Sequence, residues 1–483
     1  MLPKNLKELI IPKLMKTESV RPNVGHLIES LREIGYSVEV AIADLIDNSI
    51  TAESTEIKIF AVKKPEISIV ILDNGNGMSE RELIEAMRLA STSPKDIRKK
   101  NDLGRFGLGL KTASFSQCKK LTVVTKNQGG ISCRQWDLNF ISEKNEWFLI
   151  TPEDYTDFPH YDEFQKLNTG TLVVWEDIDK IPVLNFVEII DRVRKHLSLV
   201  FHKFLEGQVP SKKISILVNN NPVKAFNPFN INHPATQQIT SEKINILGAS
   251  VKIHPFILPH HSKISQQEYE LYATEEGYVK SQGFYLYREN RIIIYGTWWG
   301  LHKAIDAHKL IRVRIEIPNS MDSHWGIDIK KSIARPADII KSDLRRIINQ
   351  VTDKGARPFS ARGKKIEDKS LTQFWEIFPV NESFRFGINQ SHPLFINLMS
   401  SLDDYQKETL KYYLSGLQAY LPLDAIQSKL QTNPHSINQE SALTEDDINK
   451  LLNMLQDSGL SEEYKQELLK TEIFKNRQEI FKP

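Results

Sequence analysis

The chain has 483 residues, 40% of them apolar and 26% charged, with Lys+Arg of 63 against Asp+Glu of 61. That length predicts two or three domains of ordinary globular kind, and the near-neutral charge does not mark the whole chain as a polyanion binder. Its two cysteines, Cys118 and Cys133, form no CxxC pair, which excludes a disulfide framework and a multi-cysteine zinc site and fits a reducing, cytoplasmic setting. No apolar run of about 18 residues occurs, so no membrane span is expected.

Residues 1–20 read as a basic extension, without the apolar stretch of about 7–15 residues that a secretory signal carries. Leu27, Ile28, Leu31 and Ile34 recur at helical spacing until Gly35 interrupts. A second helix is predicted over 38–49, with Val38, Ile42, Leu45 and Ile46 on its buried side. Asp44 and Asn48 stand four apart on it, neighbours at ~5–6 Å between Cβ atoms. Alone, that dyad reads equally as an exposed polar pair or a capping group. The alternating stretch 55–62 is a half-buried strand, and 67–72 is a more continuously apolar one that ends in Asp73. An Asp before a glycine turn is usually a turn-former; here it is also a candidate acceptor for an adenine amino group, with Gly75 and Gly77 letting the base approach the backbone.

Ser79 and Glu82 predict a capping box at the start of a helix over 79–89. A polar, Lys-rich stretch follows, and then Gly104-Arg105-Phe106-Gly107-Leu108-Gly109-Leu110-Lys111-Thr112. This is not a P-loop, because Leu110 intervenes between the last glycine and Lys111. Nor is it a dinucleotide fingerprint, which needs GxGxxG after a strand. What remains is a glycine-rich lid flowing into a helix, whose N–H groups suit phosphates. Strands are predicted over 121–125 and from Gly170-Thr171, and one helix over 186–204 closes the first domain.

Taken in order, these islands closely resemble the GHKL ATPases, named for gyrase, the ninety-kilodalton heat-shock chaperones, histidine kinases and MutL. Asp44 to Asn48 matches their N box, Asp73-x-Gly75-x-Gly77 their first glycine box, Gly104 to Lys111 their lid and Gly170-Thr171 their later Gly-Thr element. The resemblance implies a Bergerat α/β sandwich, with helices on one face of a mixed sheet. It implies ATP and Mg²⁺ as ligands, with Asn48 on the metal and Asp73 on the adenine amino group. Gly75, Gly77, Met78, Gly104, Phe106, Gly107, Gly109, Lys111 and Thr171 complete the nucleotide-binding set. Asp44 would orient the attacking water as general base. Many members carry Glu there, longer by about 1.5 Å, one C–C bond. Asp47 is the weaker candidate, expected to point about 100° away on the helix.

Further on, 213–218 is a strand followed by an Asn-rich turn, and 284–293 a strand pair or a strand with a polar break. Tyr287 to Arg291 is similar to the YRNxRLI element of MORC ATPases, in the S5-like transducer domain. Trp298 and Trp299 are read as packing residues. Ile311 to Ile317 alternates as a strand with one charged face. In GHKL dimers of the MutL, gyrase and MORC kind a transducer lysine reaches the γ-phosphate, a role that suits Lys330 or Lys331; on a strand only one of the two can face it. Residues 353–370 mark a linker, beyond which helical signals dominate, with helices predicted over 402–421, from Thr444 and from Ser461. The expected domains are therefore a Bergerat domain over 1–205, a transducer over 206–350 and a linker with a helical region over 351–483. The MORC-like resemblance implies a clamp that dimerises on ATP and acts on DNA or a DNA-processing partner, as in prokaryotic genome defence or restriction. The alternative is a chaperone ATPase of heat-shock-90 type.

Overall fold

A computed structural model describes residues 18–474 except 19, 21, 34, 64, 90–102, 104–108, 211, 247, 329–332, 356–370, 381–382, 433, 438–443, 458–460 and 472. Helix α1 (Val24–Arg32) begins at Asn23, whose side chain accepts the His26 N–H, and α2 (Val38–Thr51) begins at Ser37, which accepts from Val40. Strands β1 (Glu56–Val62) and β2 (Ser68–Asp73) pair antiparallel, which sets Asp73 opposite Ile57 at the open end of the hairpin. The capping box of Ser79 and Glu82 opens α3 (Glu80–Met87). Then come α4 (Gly109–Phe115), β3 (Cys118–Asn127), β4 (Gly130–Asp137), α5 (Leu138–Lys144), α6 (Tyr161–Gln165) and β5 (Gly170–Ile178).

The single helix expected over 186–204 is broken at Phe201 into α7 (Phe186–Val200) and α8 (His202–Leu205). The break turns His202 and Lys203 toward Tyr287: His202 Nε2 lies 2.6 Å from the tyrosine hydroxyl, and Lys203 Nζ stands 4.7 Å from the ring centroid.

Seven strands form the first sheet, in the order β4-β3-β5-β2-β1-β6-β7. The last two, β6 (Ser215–Val218) and β7 (Asn221–Pro222), come from beyond residue 205, so the expected boundary falls short of the sheet's own edge. Register explains it: β6 runs parallel to β1 and satisfies the side of it that β2 leaves open. One face buries the apolar sides of α2, α4 and α7. The opposite face, expected bare of helices, carries a smaller cluster in which Phe60, Val70, Leu72, Val124 and Leu172 lie under Tyr161 and Phe164 of α6.

A second sheet contains β8 (Gln237–Gln238), β9 (Glu242–Ile246), β10 (Ala249–Ile257), β11 (Gly283–Arg288), β12 (Arg291–Thr297) and β13 (Ile311–Ile317), with α9 (Gln266–Ala273) between β10 and β11. Its order is β12-β11-β13-β10-β8, with β9 on β10. The apolar side of β13 packs with Ile340, Leu344 and Ile347 of α10 (Asp338–Gly355). The other side, read from sequence as a charged face, is only partly open to solvent. Arg312 is fully buried and donates to the carbonyls of Pro228 and Tyr272, while Arg314 lies over the rings of Phe229 and Phe256. The two sheets share a core here, because Phe256, Tyr285 and Tyr287 pack in one cluster with Phe201 and Phe204. Trp298 is buried, and Trp299 stacks on Phe284.

Beyond residue 370 the region is not wholly helical. A hairpin of β14 (Trp375–Val380) and β15 (Ser383–Ile388) precedes the helices Pro393–Ser401, Asp404–Ala419, Leu423–Thr432, Glu445–Asp457 and Glu462–Leu469. Among the described residues these strands pair with each other alone, and Pro379 sits in one of them, a residue that two-sided pairing would exclude. Among the described residues no helix is long and apolar enough to cross a membrane.

Candidate functional site

Asp73 closes β2 with its carboxylate buried at 5% exposure. Ser49 Oγ on α2 donates to Oδ2 at 2.8 Å, and the Gly75 N–H donates to Oδ1 at 2.9 Å. Burial pushes this carboxyl above its ordinary value, against the hydrogen bonds from Gly75, Ser49 and the Thr171 backbone. Thr171 stands directly opposite Asp73 across the β2–β5 ladder. Its hydroxyl lies 3.3 Å from Thr125 Oγ1, which in turn accepts the Met78 N–H at 2.9 Å. Asp73, Thr171 and Met78 thus meet on one hydrogen-bonded floor built from α2, β2, β3 and β5. A carboxylate so desolvated holds a strong acceptor in a dry place, the condition for reading an amino group.

The turn glycines act partly otherwise than expected. Gly77 has φ +64°, and a Cβ there would lie 1.9 Å from the Lys126 carbonyl oxygen. Its lack of a side chain therefore lets β3 pass, and ligand access is not the first constraint.

Asp44 and Asn48 occupy successive turns of α2, but their surroundings differ: Asp44 is buried and Asn48 exposed. The Tyr36 hydroxyl donates to Asp44 Oδ2 at 3.2 Å, and burial followed by the charge of Asp44 raises the phenol above its ordinary value. A Cβ on Gly109, the first residue of α4, would stand 3.9 Å from the same Oδ2. The end of the lid sequence and the acid are therefore adjacent.

The other Asp44 oxygen is held from the second sheet. Arg291 Nη1 on β12 donates to Asp44 Oδ1 at 3.1 Å and also to Asp47 Oδ2, with all three side chains buried. Asp47 therefore does not point away from Asp44. Three residues along a helix make about 300°, which returns the side chain to within ~60° of its neighbour. Burial opposes the charge on Arg291, yet Asp47 and Asp44 together hold its pKa above the ordinary range. An exposed ion pair contributes ~0–1 kcal/mol, whereas removing one partner of a buried pair costs roughly 3–5 kcal/mol. Arg291 belongs to the second kind. It also lines a cleft of about 940 Å³ between α7, α9 and β12.

Lys111 is turned inward. It is 2% exposed, and its Nζ donates to the Ala86 carbonyl near the end of α3 at 2.8 Å. Burial lowers its pKa to about 8. Gly104, Phe106, Gly107, Lys330 and Lys331 lie outside the described residues. The flanks of the two lysines are described: the Ile333 N–H donates to Asp328 Oδ1 at 2.9 Å, and the charge of Asp328 reaches Tyr36. Sequence reading missed Ser49, Thr125, Tyr36 and Arg291 as site residues. Only the Tyr287 to Arg291 resemblance carried a signal for any of them.

A buried acceptor at a strand end and a helix bearing a buried acid with an exposed amide one turn on are brought together here beside Gly109, the last glycine of the Gly-rich sequence. Residues 36–171 match the family described as "Histidine kinase-, DNA gyrase B-, and HSP90-like ATPase". The chain is similar to mouse ATPase MORC2B, 29% identical over 144 residues that make up 28% of this chain and 14% of that protein. It is likewise similar to human ATPase MORC2, 27% identical over 116 residues, 23% of this chain and 11% of that one. For ATPase morc-1 of Caenorhabditis elegans the figures are 31% over 93 residues, 19% and 10%. The chain thus carries a GHKL ATPase domain of MORC-like type and spans only a small part of the length of these relatives.

Proposed function

We propose that this chain binds ATP with Mg²⁺ on the Asp73–Thr171 floor and hydrolyses it. We further propose that bound ATP joins two copies into a clamp on DNA or DNA-bound partners. The observation that carries the reading is the continuity of the site: Ser49 on α2 bonds Asp73, and the same helix presents Asp44 beside Gly109. Adenine would lie over Asp73 and the triphosphate would extend along α2 toward Asp44. Asn48 is the residue to hold the metal. Its exposed amide oxygen on α2 fits an ion bound through one side-chain oxygen with phosphates and water. Held there, a Mg²⁺ ion would supply neutralisation of phosphate charge. Asp44, held by Tyr36 and Arg291, accepts the proton of the water that attacks the γ-phosphorus, and the bond to the β-phosphate oxygen breaks.

The unit of the second sheet is read as an S5-like transducer, and the sequence between Asp328 and Ile333 as the carrier of the γ-phosphate lysine, Lys330 or Lys331. The MORC-like resemblance supports DNA as the client and a prokaryotic defence role. Light scattering with and without a non-hydrolysable ATP analogue and Mg²⁺ tests the clamp. Dimerisation in the wild type that Asn48→Ala abolishes is the expected outcome. A species indifferent to nucleotide overturns the clamp, and turnover unmoved by duplex DNA while client aggregation is suppressed replaces DNA with a protein client.

A further inference from the structure

The turn between β11 and β12 is two residues long, Glu289 and Asn290, both left-handed at φ 47° and 73°. Such a turn matches the twist of its strands and makes a stiff hairpin. Arg288 and Arg291 face each other as its closing pair, so the two side chains move as one body. Each enters the nucleotide domain at a different place. Arg288, 1% exposed, grips Asp322 through Nε at 2.7 Å and Nη2 at 2.8 Å, and its Nη1 donates to the Leu103 carbonyl at 2.9 Å. Leu103 is buried in the core of the first unit and immediately precedes the lid glycine Gly104. Arg291 holds Asp44 and Asp47 on α2. The base of the hairpin tip is fixed by Tyr287 against His202.

We infer that this hairpin tip links the second sheet to the nucleotide site at two points: Arg291 positions the acid that receives the water proton, and Arg288 positions the entry of the lid. The inference rests on the reading of Asp44 as the base. Arg291 and Arg288 are positioning residues. A shift of the second sheet, such as dimer formation would bring, cannot leave Asp44 and Leu103 where they are, because both are bonded to the moving piece. Conversely, a nucleotide that pulls on α2 or on Leu103 pulls on β11 and β12.

The two arginines are expected to separate kinetically. Arg291→Gln lowers kcat by about 10²-fold or more while ATP affinity stays within threefold, because the acid loses its orientation and the binding floor is untouched. Arg291→Lys, which keeps the charge, recovers at least tenfold of that loss. Arg288→Gln weakens affinity for the ATP analogue by tenfold or more with a smaller effect on kcat. Loss of kcat and affinity in parallel in both variants, tracking a fall in melting temperature, overturns the inference and leaves two structural ion pairs. A second measurement does not use turnover: hydrogen exchange of residues 283–297 with and without ATP analogue. Exchange in the wild-type hairpin should slow on nucleotide binding, and in Arg288→Gln it should no longer respond. If the wild type binds nucleotide and its hairpin is indifferent to it, the linkage is wrong even where hydrolysis stands. If the hairpin responds but no hydrolysis occurs, the reading of Asp44 as base falls and the linkage stands.

Discussion

At the scale of single residues the site is organised by burial. Asp44 has two anchors, Tyr36 and Arg291, so deleting its carboxylate leaves Arg291 still neutralised by Asp47. Asp44→Ala is therefore expected to fold, to keep ATP affinity within about threefold and to lose hydrolysis by about 10²–10⁴-fold. Turnover near the wild-type rate would assign the base elsewhere. Lys111 gives a pH signature. Its pKa falls from the ordinary 10.5 to about 8 in the folded chain, because burial disfavours the ammonium. Between those values the unfolded state binds more protons, so stability should rise with pH from about 8 to 10.5 relative to Lys111→Met. Chemical denaturation across that range measures it, and parallel curves would refute it. Asp44, Asn48, Asp73 and Thr171 were legible because each lies in a short island with its own spacing. Arg291 was not, since 247 positions separate it from Asp44 and no local pattern encodes that pairing. Asp47 was misjudged from helix geometry alone, and the shared guanidinium corrects it.

At the scale of elements, periodic apolar spacing revealed α2, the strands on either side of Asp73 and the helices opened by Asp403, Thr444 and Ser461. It failed for β14 and β15, which among the described residues pair with each other alone and so show no face shared with a larger sheet. It read β13 as a strand with one charged face, which the structure has, but could not tell that Arg312 on that face is buried. The glycine turn after β2 shows the same limit. Gly77 is demanded by the Lys126 carbonyl as well as by its positive φ. Gly77→Ala should cost about 1–3 kcal/mol for backbone strain and a similar amount for overpacking. A fall in melting temperature of roughly 5 °C or more would register it. An unchanged melt would mean that β3 can move aside.

At the scale of the whole molecule, the two sheets are not independent beads. Phe229, Phe256, Tyr285 and Tyr287 join the core of the first unit, and Arg288, Arg291 and Lys203 cross between the units as buried cations. Calorimetry of the full chain should give one transition for the two sheets together, shifted upward by ATP analogue and Mg²⁺. Two separated transitions, only one of them sensitive to nucleotide, would show that the shared core does not couple them.

The pairing of β6 with β1 bears on how the protein is made. On a ribosome β1 is complete at residue 62, but its parallel neighbour begins at residue 215. At ~5–20 residues per second the 153 additions that carry the chain from residue 62 to residue 215 (215 minus 62) take roughly 8–30 s. During that interval the residues of the floor appear one after another, ending with Thr171 on β5, while one side of β1 stays unpaired, a template for strand addition. The newborn protein is most exposed to misassembly between the completion of β1 and the arrival of β6, before its sheet can close.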